Sequence, residues 1–380
     1  MQILPYKEEH HEFRKKLREY LKKEVIPHID EWEKNKQVPK EAWKKLGRAG
    51  FLCPMVDKKY GGLGGDFLYS VILSEEFAYT NHSGLFAGLH SDIIVPYIVS
   101  FGTEEQKQKY LPGCVTGDII TAVAMTEPDA GSDLTSITTT ATEEGDYVIL
   151  NGTKTFISNG INCDLVIVAA RDPEVEDPYK ALSLYLVEDG TEGFKKGNKL
   201  DKMGLYSQDT AELFFVNCKI PKSNLLGKKH HGFLMLVEKL QQERLICSIG
   251  ALAAAENVLN TTIEFAKNKM FNGKPYSRYQ SVQFTLVELV TQIKMARTFL
   301  ESLIVDHMEK KQVISDISMA KYWITDLFKN VADRCLDIYG EAGALESCPI
   351  DRSFRDARVF SIFAGTNEIM KKIIGKFMGL

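Results

Sequence analysis

The stretch IITAVAMTEPDAGSDLTSITTTATEEGDYVILNGTKTFISNG, from Ile119 to Gly160, reads as short β-rich runs separated by Gly, Asp and Asn. DLVIVAA (Asp164 to Ala170), ALSLYLVE (Ala181 to Glu188) and TAELFFVN (Thr210 to Asn217) carry this texture to about Leu226. Many short strands with turn signals predict an antiparallel barrel or sandwich rather than βαβ units. On either side the period lengthens. His11 to Tyr20 places Phe13, Leu17 and Tyr20 at helical spacing, and PKEAWKKLGRAG from Pro39 predicts a short helix closed by Gly50. YGGLGG (Tyr60 to Gly65) is a turn, helical runs cover Asp66 to Thr80 and follow His90, and Thr103 to Gln106 fits a capping box. Long helical runs at about 232–270, 279–310 and 314–339, with short connections, predict a bundle. The expected fold is α+β: an N-terminal helical domain over 1–120, a middle β-domain over 121–230 and a C-terminal helical bundle over 231–380.

The 380 residues include 47 basic and 51 acidic ones, a net charge of −4, which excludes a strong electrostatic drive toward nucleic acid or anionic membrane. No apolar run is expected to reach the ~18 residues of a membrane span. The N-terminus lacks a signal-peptide pattern and is too acidic for an organellar presequence. A cytoplasmic location is therefore expected, or the mitochondrial matrix for a mature eukaryotic chain. Seven scattered cysteines without CxxC suit a reducing compartment and no structural zinc. GxGxxG after a strand, GxxxxGK[ST], GxSxG and HExxH are all absent. The pairs His10-His11 and His230-His231 read as solvated, so no metal is expected.

Three segments carry candidate chemistry. From Gly232 onward, Leu236, Leu240, Glu243, Cys247, Ala251 and Ala254 share one helix face. Glu243 is thus a carboxylate on an apolar stripe, followed by Arg244. It is either a buried Glu paired with an Arg, or a desolvated base with a raised pKa. AMTEPDAGSD (Ala124 to Asp133) is either an ordinary turn or a ligand loop offering N–H groups and the hydroxyls of Thr126 and Ser132. In IFAGTNEIM (Ile362 to Met370), Thr366 is a natural N-cap for a terminal helix, whose N-terminus favours an anion or carbonyl oxygen.

Together these segments resemble the acyl-CoA dehydrogenase family of flavoenzymes over nearly the whole chain. Further anchors are LNGTKTFISNG (Leu150 to Gly160), KLDKMG (Lys199 to Gly204), DTAELFF (Asp209 to Phe215), LQQERL (Leu240 to Leu245) and FRDARV (Phe354 to Val359). The resemblance implies N-terminal helices, a middle β-domain and a C-terminal four-helix bundle. It implies FAD, held by Met125, Thr126, Ser132, Phe156, Ile157, Ser158, Thr366, Asn367 and Glu368. Many members carry the catalytic Glu in a YEGT-type segment, where this chain has Ala364. The long-chain and isovaleryl branches place it in a QER- or LER-type helical motif instead, and Glu243 occupies that position. The implied reaction oxidises an acyl-CoA to a trans-2-enoyl-CoA, with Glu243 taking the α-proton and flavin N5 the β-hydride. The Ala364 N–H would polarise the thioester carbonyl, a role that survives the change from Glu to Ala. Ser132, Gln242, Arg244 and Gly365 complete the implied substrate site.

An electron-transfer flavoprotein as acceptor and a homotetramer are implied as well. The family's RxxFG segment, which reaches a neighbouring subunit's FAD, reads KMFNG here, with Lys269 and Asn272, and QxxGG reads DIYGE, with Asp337 and Glu341. Gln280 still matches. Lys lacks the fork of Arg, and two new carboxylates disfavour an anionic cofactor unless turned away. Asp92 in LHSDII is expected as a helix cap or turn residue, or else as a contact to a polar acyl group. A carrier-protein thioester as substrate, and a non-catalytic scaffold, stand as alternatives.

Overall fold

The computed structural model describes residues 3–82 and 84–380. The N-terminal helices are α1 (Glu8–Glu24), α2 (Ile29–Asn35), α3 (Lys40–Arg48), α4 (Phe67–Ala78), α5 (Val95–Phe101) and α6 (Glu104–Thr116). Asp66 caps α4 through Leu68 N–H, and Thr103 and Gln106 form the expected capping box on α6. Immediately before α5, Leu89–Ile94 forms a π-helical turn. His10, expected to be solvated, is buried because its ring accepts from Lys7 N–H at 3.0 Å and meets Asp66 at 3.1 Å.

The middle domain contains β1 (Thr121–Ala124), β2 (Thr140–Glu144), β3 (Tyr147–Ile157), β4 (Leu165–Arg171), the short α7 (Pro178–Ala181), β5 (Leu182–Glu188), β6 (Phe194–Lys199), β7 (Ala211–Pro221) and β8 (Leu225–Leu226). Along the sheet the order is β6-β7-β3-β2-β4-β5-β8, with β1 joined to β4. Most neighbours are antiparallel, but β1 runs parallel to β4, Thr121 opposite Leu165. Parallel neighbours need a long crossover, and the β2–β3 hairpin supplies it. Runs that read as two strands, DYVILNG and KTFISNG, are one bulged strand, β3. On β4, Val166, Val168 and Ala170 face the sheet's own core, while Leu165, Ile167 and Ala169 face the helical core. Burial on both faces explains its unbroken apolar sequence.

The C-terminal bundle holds α8 (Gly232–Asn268), the hairpin β9 (Met270–Phe271) and β10 (Lys274–Pro275), then α9 (Gln280–Met308), α10 (Ile314–Tyr339), α11 (Asp351–Phe360) and α12 (Asn367–Phe377). Contrary to the expectation from sequence, α8 is long and apolar enough for a membrane span, yet its most apolar window is 61% buried inside the protein. It is the central helix, packed against α4, α9 and α10. All seven cysteines are free and buried.

Candidate active site

On α8, Leu236, Cys247 and Ala251 are buried, while Leu240 and Ala254 are half-buried. Glu243 stands on this stripe. The residue keeps some accessible surface, but its Oε2 is buried and has no hydrogen-bond partner among the described residues. Burial pushes its carboxyl up to about 7 against the opposing charges of Arg244 and Lys321. Glu243 forms no ion pair among the described residues, and Arg244, itself buried, leaves its Nε unpartnered. Pairing with an Arg, the first reading of this residue, is therefore not realised. What the structure holds is a desolvated carboxylate with an unpartnered oxygen.

Beside this segment of α8 lies the turn between α11 and α12. Ala364 (φ 56°) and Gly365 (φ 88°) are consecutive left-handed residues, a conformation that opposes side chains and needs external support. Lys321 of α10 provides that support. Its fully buried Nζ donates to Gly365 O at 2.6 Å and to Asn367 Oδ1 at 3.1 Å. Asn367 also accepts from Thr325 Oγ1 at 3.2 Å and donates to Tyr322 O at 3.1 Å. A Cβ on Gly365 would stand 2.9 Å from Met370 and 3.8 Å from Arg244 Nη2, so the turn packs beside the residue that follows Glu243. Thr366 caps α12, its hydroxyl accepting from Ile369 N–H at 3.3 Å. Asn367 was expected at the cofactor, but its amide and its N–H, which donates to Ser361 O, are spent inside the protein. Its role in this structure is to hold the turn.

On the β side, the loop after β1 is pinned by Glu127. This carboxylate accepts from Thr138 N–H at 2.7 Å, Thr139 N–H at 2.9 Å and Lys154 Nζ at 2.8 Å. Burial pushes Glu127 up, but Lys154 and these donors outweigh it and hold the carboxyl at about 2. Burial brings Lys154 down to about 8 despite Glu127. Lys154 also donates to Met125 O at 3.0 Å, which shapes the segment carrying Met125, Thr126 and the exposed Ser132. Two residues on, Phe156 occupies the β3 bulge at φ 56° and is 67% exposed. Ser158 is half-buried; the side chain of Ile157 is buried, so it offers only backbone to a ligand.

The flavin ring system has apolar faces and a polar edge. An exposed aromatic ring held in a left-handed bulge, beside half-buried Met125 and Thr126, matches such a face. Thr135 and Ser136 donate to Asp133 in this loop and hold its carboxyl below the usual range, with a smaller contribution from the charge of Lys372 on α12. The residues present fit FAD.

Other expected residues fall elsewhere. Gln242 donates to Asp92 O at 2.6 Å and so ties α8 to the π-helical turn. Asp92 is neither cap nor exposed turn residue; it is 1% exposed, because the π-helical turn directs it inward onto Ser70. Lys269, Asn272, Gln280, Asp337 and Glu341 are exposed. Asn272 and Gly273 (φ 46° and 77°) form the two-residue turn of β9–β10 that an Asn-Gly pair favours. Phe265 stacks on Tyr339 at 4.2 Å, bringing the ends of α8 and α10 together. The sequence reading missed Lys321, although it shares a stripe with Ile317, Ile324 and Phe328, the signal that identified Glu243.

Three family descriptions match in order: acyl-CoA dehydrogenase N-terminal domain over residues 7–118, middle domain over 122–218 and C-terminal domain over 230–379. The chain is 44% identical over 372 residues to the mitochondrial long-chain specific acyl-CoA dehydrogenase of Mus musculus, spanning 98% of this chain and 86% of that one. An acyl-CoA dehydrogenase structure from Geobacillus kaustophilus superposes with a TM-score of 0.97 at 51% identity, covering 99% of each chain. Butyryl-CoA dehydrogenase from Megasphaera elsdenii superposes with a TM-score of 0.94 at 31% identity, covering 100% of each. With the domain order, the unpartnered Glu243 carboxylate on α8 and these matches in agreement, the chain belongs to the acyl-CoA dehydrogenase family of flavoprotein oxidoreductases.

Proposed function

We propose that Glu243 is the base with which this chain, as an oxidoreductase of its family, converts an acyl-CoA into the trans-2-enoyl-CoA. The carrying observation is the buried, unpartnered Oε2 of Glu243 on α8, whose neighbour Arg244 packs beside the Ala364–Gly365 turn. Oε2 has no competing donor, so it is free to accept the α-proton of a thioester. As the α-carbon loses its proton, negative charge moves to the thioester oxygen. The Ala364 N–H, fixed by the Lys321 anchor on Gly365 O, is the backbone donor assigned to that charge. Arg244 adds positive charge on the same side. The chemistry FAD supplies when bound is acceptance of the β-hydride, and Met125, Thr126, Ser132, Phe156, Ser158, Thr366 and Glu368 are the residues that would hold it.

Partners follow from the same reading. An electron-transfer flavoprotein is the proposed acceptor, and a reducing compartment, the cytoplasm or the mitochondrial matrix, suits the free thiols. A homotetramer is supported by the apolar side chains of Phe284, Val287 and Met295, exposed along α9 at helical spacing. In it, Lys269, Gln280, Asp337 and Glu341 would approach the FAD of a neighbouring subunit.

The test is anaerobic stopped-flow bleaching of the flavin by a saturated acyl-CoA. Glu243→Gln should retain flavin and lose at least ~10²-fold in bleaching rate. A variant within about threefold of wild type would place the base elsewhere.

A further inference from the structure

Helix α4 is buried without a break from Ser70 to Leu73 and from Glu75 to Phe77, and Ser74 interrupts the run. Gly88 and Leu89 interrupt burial at the start of the π-helical turn, and Glu243 precedes the buried run of α8. The first two of these interruptions border a common space that also touches α8. A methyl built on Gly88 would meet Asp92 Oδ2 at 3.7 Å, Ser74 Oγ at 3.7 Å and Ile246 Cγ2 at 3.8 Å, all ordinary contact distances. Ile246 lies one turn beyond Glu243 on α8, so this space adjoins the helix face that carries the carboxylate.

Two buried polar atoms at its edge have no partners. Asp92 spends Oδ1 on Ser70 Oγ at 2.5 Å, but its Oδ2 has no partner among the described residues, and neither has Ser74 Oγ. Buried polar groups are nearly always hydrogen-bonded, and an unmade bond is costly, so a converging pair of orphans asks for a ligand. Abstraction of the α-proton uses neither of them.

We propose that Asp92 and Ser74 form a polar subsite in the acyl cleft, which takes an acyl group carrying a hydroxyl near its distal end. The proposal rests on the acyl-CoA reading above and names the substrate class. A hydroxyl both donates and accepts, so it satisfies the Ser74 hydroxyl and Asp92 Oδ2 whichever protonation state the carboxyl holds. An unsubstituted alkyl end would leave both groups without a hydrogen bond. Sites built to bond a hydroxyl reject the analogue that lacks it.

The experiment compares flavin bleaching of the FAD-loaded enzyme by matched pairs, an ω-hydroxyacyl-CoA and the unsubstituted acyl-CoA of equal length, over a series of lengths. At the length that reaches the subsite, the hydroxylated member should lead by about tenfold in kcat/KM. Ser74→Ala removes one atom and Asp92→Val removes the carboxyl; in each, the ratio should fall to within about threefold of unity, with flavin content reporting the fold. Bleaching that favours the unsubstituted chain at every length overturns the subsite, as does a preference that survives both substitutions. If no acyl-CoA bleaches the wild type, the proposed function fails first and the subsite with it.

Discussion

Glu243 shows how one side chain acquires a function from its surroundings. A carboxylate raised to about 7 is half ionised near neutrality. Only the ionised form accepts a proton, so kcat/KM for flavin bleaching should climb about tenfold per pH unit below 7 and level off above it. A profile flat from pH 5 to 8 would show that another group takes the proton. The linkage has the opposite sign for stability. The folded state holds this proton more tightly than the unfolded chain, so stability is lost as pH rises from about 4.5 through 7. Glu243→Gln should therefore be more stable than wild type at pH 8, by about 1–3 kcal/mol in denaturant unfolding. Ala364 offers a second check. It already carries a Cβ at φ 56°, so Ala364→Glu adds little backbone strain. On the Glu243→Gln background it should restore part of the bleaching rate, because the turn packs beside the same segment of α8.

At the scale of elements, two buried lysines hold the site in shape, each in a different way. Lys321 anchors the left-handed turn from α10 and also lowers the carboxyl of Glu243 by its charge. Lys321→Met should cut kcat for bleaching by ~10-fold or more, by loosening the Ala364 donor. It should also move the pH midpoint upward, a shift that a purely structural lysine would not cause. Lys154 instead pairs with Glu127 between β3 and the loop after β1. Glu127→Gln would leave a buried ammonium without its counter-charge, at a cost of about 3–5 kcal/mol in thermal or denaturant unfolding. Flavin retention should fall with it, since Met125 O rests on the same Nζ. Unchanged stability would mean that Lys154 sheds its proton freely. Both devices couple segments far apart in the chain, residues 321 and 365 in one and 127 and 154 in the other.

For the whole molecule, the exposed apolar row on α9 is the feature a lone chain leaves unexplained. Val287 is 64% exposed between Phe284 and Val290, and none of these contributes to the buried core. If the proposed tetramer forms, Val287→Glu should shift sedimentation toward smaller species. If Lys269 and Gln280 reach a neighbour's FAD, flavin should be lost in step with dissociation. A wild-type monomer that keeps its flavin would remove the basis for both expectations. The exposed carboxylates Asp337 and Glu341 predict that cofactor release at low protein concentration depends on salt, since they would face an anionic group across that contact.

Local pattern alone determined the order of helices, β-domain and helices, because periodicity and turn residues act within a few positions. The capping box at Thr103, the extent of the bundle helices and the apolar face carrying Glu243 were legible for the same reason. Only the tertiary structure decided that Glu243 lacks an Arg partner, that Asn367 turns inward to Lys321, and that Asp92 is buried with Ser74 near its free oxygen. It also decided that β1 lies parallel to β4. Desolvation and hydrogen-bond partnership depend on what packs against a residue, and in this chain the packing partners come from segments tens to hundreds of positions away.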